Sequence, residues 1–325
     1  MAAVTNTYTR FDAKGVREDL SNVIYQISPE ETPFMSNVGR ENVKNTYFEW
    51  QTDELAAAVT TNAQIEGDDI TSFTAATPTV RLGNYTQISR KDVIISGTLE
   101  SVDKAGRRSE LSYQMAKKSA ELKRDMEATI LANQAASAGS TSAARATGAL
   151  LAFLKSNTNK GTGGGDPTYT TTPTAGRTDA TAGDLRSFSE TLLKDVIQQV
   201  WTEGGNASMV MAGPVNKQNL SKMAGIASQR FNATGAKPST IIGAADIYVS
   251  DFGNVTIVPN RFQRERDVFV IDPQYASVAY LRPFQTVELA KTGDAEKRML
   301  LVEWGLKVNT EKAHGVVADL NSVLQ

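Results

Sequence analysis

Between residues 107 and 134, Leu111, Met115, Leu122, Met126 and Ile130 fall on one stripe at helical spacing, while Lys117, Glu121, Lys123 and Glu127 lie off it. At about 1.5 Å per residue such a helix approaches 40 Å in length. A rod of that length with a single apolar stripe has to lie across a sheet, its far side left to water or to another subunit. The remaining sequence must supply that sheet.

The β signal is densest from Asp246 to His314, where DIYVSDFGNVTIVPNRF, VFVIDP and YLRPF alternate short β segments with Gly, Asn, Pro and Asp turns. Asp251 to Asn254 reads as a hairpin turn and Thr292 to Ala295 as a polar connection between two longer strands. Upstream, Phe48 and Trp50 alternate with Tyr47 and Glu49 in a strand from Thr46, and Thr79 to Ser89 gives a second strand that can pair with it as a ribbon. Residues 53 to 78 between them hold only Leu55, Val59, Ile65, Ile70 and Phe73 as scattered apolar anchors, and the connection is too long for a hairpin turn.

Residues 1 to about 45 read as an arm, with a small amphipathic helix carrying Leu20, Val23, Ile24 and Ile27, then a turn capped by Thr32, opened by Pro33 and closed by Gly39. Beyond the long helix, an apolar island from Ala149 to Leu154 precedes a stretch from Asn157 to Asp184 with nine Thr and six Gly, which cannot build a core. Asp184 is a good N-cap for a helix with Leu185, Phe188, Leu192, Val196 and Val200 on one face. A strand at Met209 to Ala212 and a helix opened by Pro214 follow. One long helix, mixed elements and two excursions that cannot fold alone describe an α+β chain with extensions.

Chemistry is hard to place. A net charge of -2 with no Lys or Arg block argues against a dedicated DNA reader, and the absence of Cys excludes thiolate chemistry and disulfides. No basic-then-apolar leader and no run of about 18 apolar residues is present. Gly161 to Gly165 lacks the Lys-Ser or Lys-Thr of a phosphate loop, and Asp251-Phe252-Gly253 lacks every other kinase motif, so these read as a flexible loop and a hairpin turn. Glu66, Asp68 and Asp69 do not have the spacing of a calcium loop and read as a solvated acidic tip. His314, the only histidine, reads as a packing or hydrogen-bonding residue, and Arg261, Arg264 and Arg266 as intersubunit or loop-holding groups. The expectation is a protein that is not an enzyme, with no catalytic, cofactor-binding or metal-binding residues.

Several strings, in this order, resemble the major capsid proteins of tailed bacteriophages with the HK97-like fold, in the branch of the SU10-like family. They are ISPEETPFMSNVGR from Ile27, FEWQTD from Phe48, ISGTLESVDKAGRRSELSYQMAKKSAELKRDMEATIL from Ile95, YVSDFG from Tyr248, VPNRF from Val258, LRPF from Leu281, LAKTGDAEKR from Leu289 and AHG at Ala313. The resemblance implies an N-terminal arm over 1–45, an extended E-loop over 46–92, and a first part of the P-domain over 93–156 with its spine helix at 107–134. A Thr/Gly-rich flexible loop over 157–183, an A-domain over 184–280 and return strands to the P-domain over 281–325 complete it.

The function implied is self-assembly, as hexamers and pentamers, into an icosahedral or prolate shell enclosing double-stranded DNA without sequence-specific binding. Expected partners are other copies of the chain, a portal protein, a separate scaffolding protein or none, and a decoration protein, but no membrane; no N-terminal scaffolding segment is recognisable before Phe11. The expected location is the virion, after assembly in the cytoplasm of a bacterial host. Candidate intersubunit contacts are Phe48, Trp50, Leu55, Ile65, Phe73, Arg261, Arg264, Arg282 and Lys291. Three rival readings remain: an encapsulin-like nanocompartment shell, a soluble enzyme using converged carboxylates, and a surface adhesion module built on the β-rich half.

Overall fold

The computed structural model describes residues 31–67, 69, 70, 73, 75–168, 180–223 and 246–323. The helix expected around Leu20, Val23, Ile24 and Ile27 lies outside them. The described chain opens with a short helix, α1 (Pro33–Asn37), which has Pro33 at its first position, followed by strand β1 (Gly39–Asn42). Gly39 begins that strand instead of closing the helix, whose cap is Val38 in an extended conformation. Main-chain bonds thus hold the root of the arm: β1 pairs in parallel with β10 (Ala276–Glu288), Gly39 standing opposite Ser277.

β2 (Tyr47–Thr52) and β3 (Val80–Tyr85) form the expected antiparallel ribbon. The strand read over 79–89 is in fact two, because the chain changes sheets at Thr86 before β4 (Gln87–Ser96). Thr86 serves both sides of the switch. Its N–H donates to Thr46 O at 2.8 Å and its hydroxyl to the Glu303 carboxylate at 3.0 Å.

After the turn-length helix α2 (Gly97–Ser101) comes α3 (Glu110–Ile130), shorter at both ends than the 107–134 reading. Ser109 fixes its start, since the hydroxyl accepts the Ser112 N–H. The helix lies on a four-stranded sheet of order β1-β10-β11-β4, in which β11 (Ala295–Val308) is central. Leu111 packs with Val93 and Ile95, while Leu122, Met126 and Ile130 share one core with Val302, Trp304 and Leu306. The buried Trp304 ring keeps its polar edge satisfied by donating to Ser89 Oγ at 3.1 Å.

The second layer is a six-stranded mixed sheet of order β5-β12-β9-β6-β8-β7. Its strands are β5 (Thr158–Asn159), β6 (Met209–Ala212), β7 (Ile247–Ser250), β8 (Gly253–Pro259), β9 (Val268–Ile271) and β12 (Gly315–Val317). Helix α4 (Glu190–Thr202) covers one face, and α5 (Pro214–Lys222) follows β6. β6 and β9 are buried on both faces, which explains their unbroken apolar runs. Met209, Met211, Phe269 and Ile271 join the core around α3; Val210, Ala212, Val268 and Val270 join Leu193, Val196, Ile197 and Val200 of α4. One strand pair thereby ties two cores together.

Asp184 does not cap α4. The helix begins at Glu190 with Ser189 in the cap position, and Leu185 is exposed rather than on the buried face. Main-chain pairing wins over the local capping signal here: Asp184 N donates to Thr162 O, and Arg186 bridges to Leu320. The described ends of the Thr/Gly-rich stretch take defined paths, with β5 parallel to β12 and Gly165 bridged to Thr181. Gly161, Gly164 and Gly183 crowd around Asp319, where side chains at Gly164 and Gly183 would reach within 2.8 Å of its carboxylate. Here glycine serves close approach as well as freedom.

Candidate assembly site

Past Thr52 the ribbon gives way to an extended loop whose apolar side chains are left uncovered by the described residues of the subunit. Leu55 is 99% exposed, Ile65 81% and Phe73 88%, and Val59 and Ile70 are also open. From Asp53 to Thr79 the sequence carries Asp53, Glu54, Glu66, Asp68 and Asp69 and no Lys or Arg. The loop therefore offers an apolar and acidic surface. Single exposed apolar residues are ordinary, but five spaced along one loop make it a candidate interaction surface.

The two aromatic candidates at the loop's stem are placed differently. Phe48 is buried against Gly305, and Trp50 stacks between Phe48 and Phe153 with ring centroids 5.9 and 6.0 Å away. They fasten the ribbon to the body, so the loop projects from a fixed stem.

The basic candidates also divide. Arg261 is exposed, and Lys291, at the tip of the β10–β11 hairpin, stands 3.6 Å from Glu296. Arg264 pairs with the buried Asp267 at 3.3 Å, and Arg282 bonds Glu303 at 2.7 Å. Glu303 is itself buried and also accepts from Arg145 at 2.5 Å, so two guanidinium groups neutralise one buried carboxylate.

Of the other residues that shape the subunit, Glu127 and Asp319 were invisible in the sequence, whereas His314 was not. Glu127, read as lying off the helix stripe, is fully buried and accepts the Phe34 N–H at 2.7 Å, the Met35 N–H at 3.0 Å and the Asn260 amide at 2.7 Å. Burial raises its pKa, opposed by those three donors. It joins the arm root, the long helix and the loop after β8. Asp319, held at φ 59°, accepts from Arg266 at 2.9 Å and from Gly161 N–H at 3.2 Å. His314 is buried beneath the second sheet, where its Nδ1 accepts the Asp272 N–H at 3.3 Å and Nε2 faces Tyr275 O at 3.4 Å. Burial lowers its pKa to about 4, so it is neutral and structural. Among the described residues no group of three or more His, Asp or Glu is arranged to hold a metal ion.

Comparison with known proteins gives a concordant result. A family model described as SU10 major capsid protein matches residues 3–321. The chain is 29% identical to the major capsid protein of Escherichia phage Phieco32, covering 95% of this chain and 96% of that protein. Among solved structures it is similar to the capsid asymmetric unit of cyanophage A-1(L), with a TM-score of 0.63 at 9% identity over 96% of this chain and 99% of the other. It is also similar to the holo-SrpI encapsulin complex of Synechococcus elongatus PCC 7942, with a TM-score of 0.53 at 10% identity over 92% and 93% of the two chains. At such identities these structures share the fold alone, which is the HK97-like capsid fold.

Proposed function

Since the chain belongs to the SU10 major capsid protein family, we propose that its copies close a shell around double-stranded DNA by covering one another's 53–79 loops. The protein is a structural shell subunit of a tailed phage. The uncovered apolar loop carries the proposal, because none of the described residues covers Leu55, Ile65 and Phe73 and a neighbouring chain would. Leu55, Ile65, Phe73, Arg261 and Lys291 contact neighbours in hexamers and pentamers. Phe48, Trp50, Arg264 and Arg282 hold the shape that presents them.

In this reading the chain performs no catalysis and holds packaged DNA without reading its sequence, consistent with a net charge of -2. Its further partners are a portal protein, a separate scaffolding protein and a decoration protein, and assembly takes place in the host cytoplasm. The nanocompartment alternative rests on fold likeness alone, whereas the family match favours the virus. Electron microscopy of the purified protein tests the proposal. Closed shells are expected, and monomers alone, even with scaffolding partners supplied, would overturn it.

A further inference from the structure

Lys312 stands where the root of the exposed loop meets the body of the subunit. Its own turn, Glu311–Ala313, is firmly held. The Glu311 carboxylate accepts the Lys155 and Ser156 N–H groups at 3.0 Å each, and the Asn157 amide donates to Lys312 O at 2.7 Å and His314 O at 3.0 Å. From this anchored turn the ammonium reaches two carboxylates, Glu54 at 2.8 Å and Glu203 at 2.7 Å.

The two carboxylates belong to different parts of the molecule. Glu54 lies two residues beyond β2, in the loop root, while Glu203 caps the C-terminal end of α4. Both raise the Lys312 pKa, which keeps the cation charged. A cavity of about 690 Å³ opens at the same place, lined by Leu55, Ala57, Gly204, Gly205, Tyr275 and Thr310. The loop root therefore crosses open space, and a charge rather than packing holds it there.

We propose that Lys312 is a strap that sets the angle at which the 53–79 loop leaves the subunit, and that its release lets the root shift across the cavity to meet neighbours at different curvatures. The proposal rests on the shell reading. Without the ammonium, Glu54 and Glu203 would face each other as like charges across the gap. All three side chains are partly exposed, so the strap is weak and sensitive to salt. Weakness suits the role, because a strap that yields easily lets the root take up more than one angle.

The chain has no native Cys, so spin labels can be placed cleanly through Ala57→Cys and Thr202→Cys in the full chain, with distances read by pulsed electron resonance and shell diameters by electron microscopy. Lys312→Met is expected to broaden the 57–202 distance distribution at least twofold and to yield shells of more than one diameter. Glu54→Gln, which touches only the exposed end of the strap, should do the same should Lys312→Met fail to fold. The three-way swap of Glu54→Lys and Glu203→Lys with Lys312→Glu places one carboxylate between two cations and should restore the narrow distribution. An unchanged distribution in the folded variants, a swap that restores nothing, or broadening with a single shell diameter would overturn the proposal. A parent chain that forms no shells would instead overturn the shell reading, while the distance measurement still reports on the strap.

Discussion

At His314 burial couples the protonation of a single side chain to folding. Its burial lowers the folded pKa to about 4, against an ordinary 6.5, so between those values the unfolded chain binds the extra proton and the folded chain does not. The associated stability is fully present above pH 6.5 and is lost as pH falls through 4; the gap corresponds to about 3 kcal/mol. Asp267 works the other way. Burial pushes it up to about 6, so the folded state gains stability as pH falls from there toward the ordinary carboxylate value. In urea denaturation, His314→Gln should therefore remove about 3 kcal/mol of the acid loss between pH 7 and pH 4 relative to the native chain. Equal pH profiles for the two would show that His314 does not titrate in this window. No local pattern marks Asp267, whose titration is set by burial and by the charges of Arg264, Arg266 and Asp319 from two separate segments, whereas a lone histidine between Ala313 and Gly315 was readable as a packed residue.

Where elements join, a few polar side chains outweigh their number. Glu127 links α1, α3 and the loop after β8 through three donors, and Glu127→Ala would leave two buried N–H groups and the Asn260 amide without their acceptor. A loss of about 3–5 kcal/mol is expected, with Glu127→Gln costing less because it keeps one acceptor and the volume. Thermal unfolding would rank the two, and limited proteolysis near residues 33–42 should increase in the alanine variant as the arm root loosens. Equal, small effects would mean that the carboxylate's desolvation cancels its bonds. Periodicity correctly predicted the long helix, the ribbon, the strand at Met209–Ala212 and the helix opened by Pro214, since each is a local pattern. It missed β1, whose partner strand is more than 200 residues away, and placed the start of α4 too early because pairing with residues 319 and 320 overrides the cap. It also could not tell a glycine that bends from one that is crowded, as Gly161 and Gly183 are.

Over the whole molecule, folding and assembly divide between surfaces. The two cores are built from α3, α4 and the two sheets, and none of their buried side chains comes from the described residues of 53–79. Shortening the loop to remove residues 56–76 should thus leave a folded subunit with near-native melting while abolishing or strongly reducing shell yield; normal particles at normal yield would contradict the role assigned to it. That the loop stays outside the cores was legible from its composition, but the exposed set could be separated from Phe48 and Trp50 only once the stem was seen stacked on Phe153. Both sheets, finally, are completed late in the chain. β11 is the central strand of one and β12 lies inside the other, between β5 and β9. During synthesis the stripe of α3 consequently waits, without Val302, Trp304 or Leu306 to cover it, until β11 has left the ribosome. A chain stopped before β11 lacks an internal strand in each of the two layered sheets, so strand order makes the stability of both layers depend on the same late segment.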